Sequence, residues 1–279
     1  NFEELKWLQP GITWSPDSKK IAFAAKSGKS DVIHIVDVES GKTDKISINL
    51  DGVFSASWSP NGENIAFVGH KGNASDLFLF NIQDETFIQL TSDPFSDSNP
   101  SWNKSGTRIA FVSDRGKFVN GEYAGKMSEH DYMQSDIYIF DVKTSEIQQI
   151  TDTPQKEDHP VWAHQSNTLF YTSDKKGVWN IWRHDLTADD QDAYPISNVL
   201  TGLQQLSLSQ DDELLIFSGY AGTGWDIYSL SKPLDLESVP VPETQFIKNK
   251  MNRDETLADL RRNKQKKVES PSDDYSKWI

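Results

Sequence analysis

The sequence predicts an all-β fold, a β-propeller of four-stranded blades, and three observations carry the prediction. A motif recurs along the chain: WSPDSKKIAF from Trp14, WSPNGENIAF from Trp58, WNKSGTRIAF from Trp102, a shortened WAHQSNTLF from Trp162 and a degraded LSQDDELLIF from Leu208. The phenylalanines that close these units, Phe23, Phe67, Phe111, Phe170 and Phe217, are 44, 44, 59 and 47 residues apart. Short apolar runs of strand length fill the intervals. A period in the forties with aromatic anchors is the signature of one small antiparallel sheet per repeat around a common axis.

Each repeat reads the same way. In residues 102–151, Trp102 ends a first strand and runs into a turn over 103–106. In the better copies that turn is Ser-Pro-Asp or Ser-Pro-Asn-Gly, where proline presets φ and glycine supplies a positive φ. Residues 108–112 form a second strand, 136–141 alternate as a third, and 146–151 form a fourth. The third strand recurs at 31–37, 76–81, 180–185 and 226–230, and the fourth at 45–47, 88–91 and 199–201. The Asp that opens most third strands is expected to accept hydrogen bonds from backbone N–H groups of a nearby turn. The tryptophans are expected in the core.

These residues resemble the TolB-like, or PD40, family of β-propeller repeats. That pattern runs W-S-P-D-G, I-A-F, S-D-x-x-G, D-I-Y, Q-L-T, and residues 113–116 and 173–177 fit its middle element. The resemblance covers residues 1–232, the propeller domain, and implies six blades where five repeats are visible. Residues 1–8 read as an orphan fourth strand. They could complete a five-bladed ring, or the chain could be part of a longer protein that supplies a sixth blade; six is favoured.

The third repeat is lengthened by an insertion between Gly116 and Ser135. Long loops inside compact domains are often functional, and aromatics and methionines suit partner contacts. Tyr123, Met127, His130 and Tyr132 are therefore the expected partner-binding residues. Residues 233–279 leave the pattern as a linker and tail. Pro233, Pro240 and Pro242 suggest extended chain, 249–268 a marginal helix, and the Ser- and Asp-rich end disorder.

No cysteine is present, which removes disulfides, thiolate metal sites and cysteine nucleophiles. The net charge is −14, and because residues 235–279 are charge-balanced, the repeats carry all of it. An acidic body argues against nucleic acid as partner and favours cations or basic protein surfaces. No apolar run reaches the roughly 18 residues of a membrane-spanning helix. Residue 1 is Asn and no signal-peptide pattern follows, so the chain is expected to be mature or trimmed.

There is no G-x-S-x-G elbow, Walker A loop, H-E-x-x-H or nucleotide fingerprint, so no catalytic residue is expected. The segments ahead of the first strands should line one mouth of the channel. They offer Asp97, Asn99, Glu157, Asp158 and His159, an acidic funnel suited to a basic peptide end or a weakly held cation, with no other cofactor expected. One branch of the resembled family, a lyase acting on pectin fragments, holds a metal in its channel with several histidines. The equivalent segments here offer Gly11, Ser55 and Leu203, so a full metal site is not expected. The function read from all this is a non-catalytic protein-binding scaffold of the bacterial cell envelope, part of a longer protein or complex. By resemblance it would be periplasmic or at the cell surface, with envelope or outer-membrane proteins as partners. The alternatives are an accessory or gating propeller of a hydrolase and a channel-centred metal-dependent lyase.

Overall fold

The repeats become sheets in chain order. The computed structural model describes residues 11–249, apart from 29, 73, 122, 188–192 and 223. Blade 1 is β1 (Ile12–Trp14), β2 (Lys20–Ser27), β3 (Ser30–Asp37) and β4 (Thr43–Ser47). Blade 2 is β5 (Gly52–Trp58), β6 (Asn64–Lys71), β7 (Ala74–Asn81) and β8 (Thr86–Gln89). Blade 3 is β9 (Asp97–Trp102), β10 (Arg108–Ser113), β11 (Asp136–Asp141) and β12 (Ile147–Gln149). Blade 4 is β13 (Glu157–Trp162), β14 (Thr168–Ser173), β15 (Asn180–Asp185) and β16 (Tyr194–Pro195). Blade 5 is β17 (Leu203–Leu208), β18 (Leu214–Ala221) and β19 (Gly224–Ser231). Neighbouring strands within a blade are antiparallel, and from blade 1 to blade 5 each inner strand packs against that of the blade that follows it in the chain. The described residues thus form five blades, the fifth with three strands. The orphan strand expected at 1–8 lies outside them.

The I-A-F triplet has a packing reason. Successive side chains of a strand point to opposite faces. Ile65 and Phe67 face blade 1, where they meet Ala22, Ile33 and Ile35, while Ala66 faces blade 3. Ala66, Val68 and Leu77 then meet Ile109, Phe111 and Tyr138, and Ala110 and Ile137 meet Leu169, Tyr171 and Trp182. Small residues of one blade receive large rings of the next, so the core is a series of seams packed at interior density.

Register corrects two sequence-based expectations. Trp162 pairs with Leu169 as Trp58 pairs with Ile65 and Trp102 with Ile109. Tyr171, not Phe170, therefore holds the place of Phe67 and Phe111, because the turn keeps its seven-residue length and Leu169 and Phe170 stand where Ile65 and Ala66 do. The fourth strand of that repeat is Tyr194–Pro195, not 199–201. The signal that identifies it is a hydroxyl. The Ile181 N–H donates to Ser197 Oγ at 2.8 Å, as Leu77 donates to Thr91 Oγ1 at 2.9 Å and Ile137 to Thr151 Oγ1 at 2.8 Å. An outer strand tolerates the proline.

The tryptophans also divide. Trp162 is buried, but Trp14 and Trp225 are 55% and 56% exposed. Both border the seam between blades 5 and 1. There the turn tips meet, Gln210 Nε2 donating to the Pro16 carbonyl at 3.3 Å, and no strand of blade 5 packs broadly on a strand of blade 1.

The first turn of each repeat repeats its chemistry. Ser15 Oγ donates to Asp17 Oδ1 at 2.6 Å and accepts from the Lys20 N–H at 2.8 Å; Ser59 with Asn61, and Ser209 with Asp211, do the same. The fourth turn position has positive φ in each case: Ser18 (59°), Gly62 (78°), Gly106 (68°) and Asp212 (59°). A side chain there costs about 1 kcal/mol relative to glycine. Ser18→Gly is expected to stabilise the protein by about 0.5–1 kcal/mol. Asp212→Gly should destabilise it, because that carboxylate accepts from the His164 and Gln165 N–H groups, each at 2.8 Å, across the seam of blades 4 and 5. Urea denaturation of the two variants reads opposite signs; changes of the same sign would refute this account.

Candidate functional site

Two regions concentrate side-chain chemistry: the insertion between β10 and β11, and the ring of residues where the inner strands bulge.

The insertion is built on residues 113–116. Arg115 is buried and reaches Asp93 at 2.9 Å and Asp97 at 2.6 Å, while its Nε donates to Ser113 Oγ at 3.0 Å. Its guanidinium also lies 5.2 Å from the Phe111 ring centre and 5.6 Å from that of Tyr138. Asp114 accepts the Ser96 N–H at 2.8 Å, and its other oxygen is 3.2 Å from His130 Nε2. One short motif thus clamps both the loop between β8 and β9 and the insertion. Phe95, buried in that loop, is the centre of an aromatic cluster with Tyr123 at 4.9 Å, His130 at 5.1 Å and Phe118 at 5.3 Å. Tyr123 and His130 therefore turn inward as anchors. Met127 is half-buried and opens a 3-10 turn, Met127–Glu129, whose Met127 carbonyl accepts from the Tyr132 hydroxyl at 2.9 Å. Tyr132 and Met133 face outward, 59% and 67% exposed. Sequence reasoning passed over Met133, and only its exposure singles it out.

The bulges form the second region. Ser55, Asn99, His159 and Gln205 occupy equivalent positions of four inner strands with φ of 48°, 50°, 51° and 60°. Each lies where the pairing with the second strand shifts register. The fifth equivalent is Gly11, where a Cβ would sit 3.0 Å from the Ser55 Cα, a tight approach to backbone that glycine avoids. Ser55 Oγ donates to Asn99 Oδ1 at 3.3 Å, and Asn99 Nδ2 to Asp158 Oδ1 at 2.6 Å. His159 Nδ1 lies 3.4 Å from Thr172 Oγ1. The structure therefore brings Asn99, Asp158 and His159 together.

Asp97 and Glu157, expected beside them, are buried between blades instead. The strand alternation sends residues 97 and 157 to the opposite face from 158. Burial pushes the Asp97 carboxyl up against the pull of Arg115. No cation sits beside Glu157, the equivalent group one seam on. It accepts from Thr153 Oγ1 at 2.7 Å and Ser173 Oγ at 3.0 Å, and burial, with Asp136 beside it, pushes it to about 8. Asp136 is itself raised by burial. Asp76 is pushed to about 7 by burial and by Asp97.

The described part of the tail is not free. It runs back over blade 4, with Val239 N–H on the Pro195 carbonyl at 2.9 Å, Lys176 on Glu243 at 2.9 Å and Ile247 buried. Thr244 lies so close to Gly177 that a Cβ there would collide with it. The helix expected from 249 and the disordered end lie outside the described residues, apart from a helical turn over 245–249.

Comparison with known proteins agrees with the geometry. The TolB β-propeller domain family matches residues 7–118, less than half of the chain. TolB from Acinetobacter baumannii superposes with a TM-score of 0.64 at 17% identity, over 80% of this chain and 51% of that one. The putative TolB from Agrobacterium tumefaciens gives 0.64 at 15% identity, over 80% and 77%. By fold this is a β-propeller, similar to those of TolB. An oligogalacturonate lyase in complex with manganese also matches, with a TM-score of 0.56 at 13% identity, over 79% of this chain and 61% of that one. This chain spans about half the length of the Acinetobacter protein. No curated protein matches the sequence.

The donors at the bulge ring of this TolB-like propeller do not fit a histidine-held metal. Gly11, Ser55, Asn99, His159 and Gln205 include one imidazole. Among the described residues no three His, Asp or Glu side chains are grouped to hold an ion. No helix among them is long and apolar enough to cross a membrane.

The buried pair gives a pH prediction. Glu157 binds its proton more tightly folded, at about 8, than unfolded, at its ordinary 4.5. Its contribution is therefore fully present below pH about 4.5 and is lost as pH rises towards 8. Glu157→Gln should flatten the fall in melting temperature between pH 5 and 8, leaving a residual slope from Asp76. The exposed aspartates with lowered pKa, such as Asp17, Asp37 and Asp141, titrate below this window. Equal slopes in both proteins would contradict the tighter proton binding of buried Glu157.

Proposed function

We propose that this propeller is a non-catalytic protein-binding scaffold of the bacterial cell envelope, acting within a longer protein or complex. The observation that carries the reading is the clamped insertion. A loop held by Arg115, Asp114 and the Phe95 cluster presents Tyr132 and Met133 outward on a rigid sheet. Pre-ordered apolar side chains lose little entropy on docking, and aromatic and methionine side chains are favoured contact residues. Placement in the periplasm or at the cell surface, with envelope or outer-membrane partners, rests on the resemblance to TolB-like repeats. The bulge ring supports a subsidiary role for Asn99, Asp158 and His159, as hydrogen-bonding groups at the channel mouth for a basic peptide end or a weakly held cation.

The test is a photo-crosslinking residue at position 133 in cells of the native host. A discrete protein adduct is expected. In protein carrying the probe at 131 instead, Tyr132→Ser with Met133→Ser should reduce adduct formation about tenfold, with unfolding free energy changed by less than about 1 kcal/mol. An adduct of unchanged yield in the folded double variant would end the assignment of this loop.

A further inference from the structure

The chain contains two Asn-Gly pairs, Asn61-Gly62 and Asn120-Gly121, and the fold treats them differently. Both asparagines are exposed, and both glycines take positive φ, 78° and 87°. Bonding separates them. Asn61 Oδ1 accepts from Ser59 Oγ at 2.7 Å and from the Glu63 N–H at 3.1 Å, and its Nδ2 donates to Glu63 Oε2 at 2.7 Å. The Gly62 N–H donates to the Ser59 carbonyl at 3.0 Å. Asn61 is thus held in the turn between β5 and β6 at its side chain and at the amide that follows it. Asn120-Gly121 lies in the insertion, in a bend outside any strand. Among the described residues neither the Asn120 side chain nor the Gly121 N–H meets a hydrogen-bond partner, and a Cβ at Gly121 would meet nothing within 4 Å. The flanks of this free pair are pinned. Phe118 and Tyr123 pack on Phe95, with ring centres at 5.3 and 4.9 Å, and on each other at 5.6 Å. Residues 118–123 therefore form a short closed loop with Asn-Gly at its middle.

An asparagine followed by glycine can close on itself. The glycine nitrogen attacks the side-chain carbonyl carbon, a C–N bond forms, the bond to the side-chain nitrogen breaks, and ammonia leaves with the proton lost by the glycine N–H. Water then opens the five-membered imide at either carbonyl, giving aspartate or isoaspartate. Water is consumed and ammonia released, with no change of oxidation state. Glycine favours the closure because it has no Cβ in the way and turns freely. We propose that Asn120 is a site of spontaneous deamidation, and that Asn61, with the same neighbour, is protected by its turn. Either product adds a negative charge to the insertion. The isoaspartyl product also adds a methylene to the main chain between the pinned rings of Phe118 and Tyr123, and so loosens the Phe95 clamp. The proposal goes beyond the scaffold reading and does not depend on it.

The experiment uses the full chain, incubated in mildly alkaline buffer, which favours loss of the glycine proton, and then digested with trypsin. Cleavage after Lys117 and Lys126 yields residues 118–126, FVNGEYAGK, in which Asn120 is the one side-chain amide. Deamidation there, read by mass, should outpace that of Asn61 in the peptide 46–71 by about tenfold, the factor set by one net hydrogen bond that must open before the ring closes. In urea the two rates should converge. Equal rates in the folded protein, or a difference that persists undiminished in urea, overturns the proposal. Fully converted protein should exchange its amides faster across 117–134 than an Asn120→Gln protein aged beside it, since the extra methylene of glutamine slows ring closure. Equal exchange in the two overturns the loosening of the clamp.

Discussion

A sheet that is apolar on both faces must be covered on both, and this requirement organises the molecule. Four of the five blades find their cover in the next blade, through seams in which an alanine of one sheet receives a phenylalanine or tyrosine of its neighbour. Each fully buried side chain of this size contributes roughly 1.5–3 kcal/mol, so a blade's stability lies largely in its neighbours. The seam between blades 5 and 1 is the exception. There Trp14, Ile216, Trp225 and Ile227 remain exposed, and the turn tips alone meet.

Polar groups inside the seams follow the same logic with more variety. The 113–116 motif places a buried guanidinium between two aspartates, so the charges taken out of water are paired. In the next repeat the equivalent of Arg115 is Lys175, whose amine lies 5.1 Å from the Trp182 ring centre. Among the described residues no ion pair reaches Glu157, and it is met by the Thr153 and Ser173 hydroxyls instead. The arginine-to-lysine difference, together with Thr153 in the place of Asp93, thus separates a salt-bridged seam from one in which hydroxyls meet the carboxyl. Lysine's point charge does not fork towards two carboxylates as arginine does.

The architecture was legible because spacing and alternation survive divergence. Trp58, Trp102 and the I-A-F triplets mark register directly. The errors arose where a repeat changed its letters without changing its length. Leu169 and Phe170 stand where Ile65 and Ala66 do, so Phe170 took the letter of the pattern while Tyr171 took its place in space. The outer strand of blade 4 was missed because Tyr194–Pro195 carries no Q-L-T, and its Ser197 hydroxyl is recognisable only beside Thr91 and Thr151. At the candidate sites, residue types were legible but directions were not. Asp97 and Glu157 sit two residues before a bulge and one residue from a change of face, which no spacing rule resolves. Tyr123 and His130 look like surface chemistry in sequence and serve as anchors on Phe95 and Asp114.

The bulge ring bears on how the channel end of this propeller is used. Four non-glycine residues hold left-handed backbone at equivalent positions, each at a cost of about 1–2 kcal/mol. Glycine would relieve all four, and at Gly11, where the neighbouring backbone approaches to contact distance, glycine is what the chain has. Elsewhere the side chains compensate the strain by bonding across blades, from Ser55 to Asn99 and from Asn99 to Asp158. Those bonds tie blades 2, 3 and 4 together at the axis, while the seams hold them by burial and by further bonds such as Trp102 Nε1 to the Ser57 carbonyl at 3.1 Å. A ring pinned at its centre and packed along its seams has few soft modes. Its loops are therefore presented at fixed spacing, which is the property a scaffold requires of its fold.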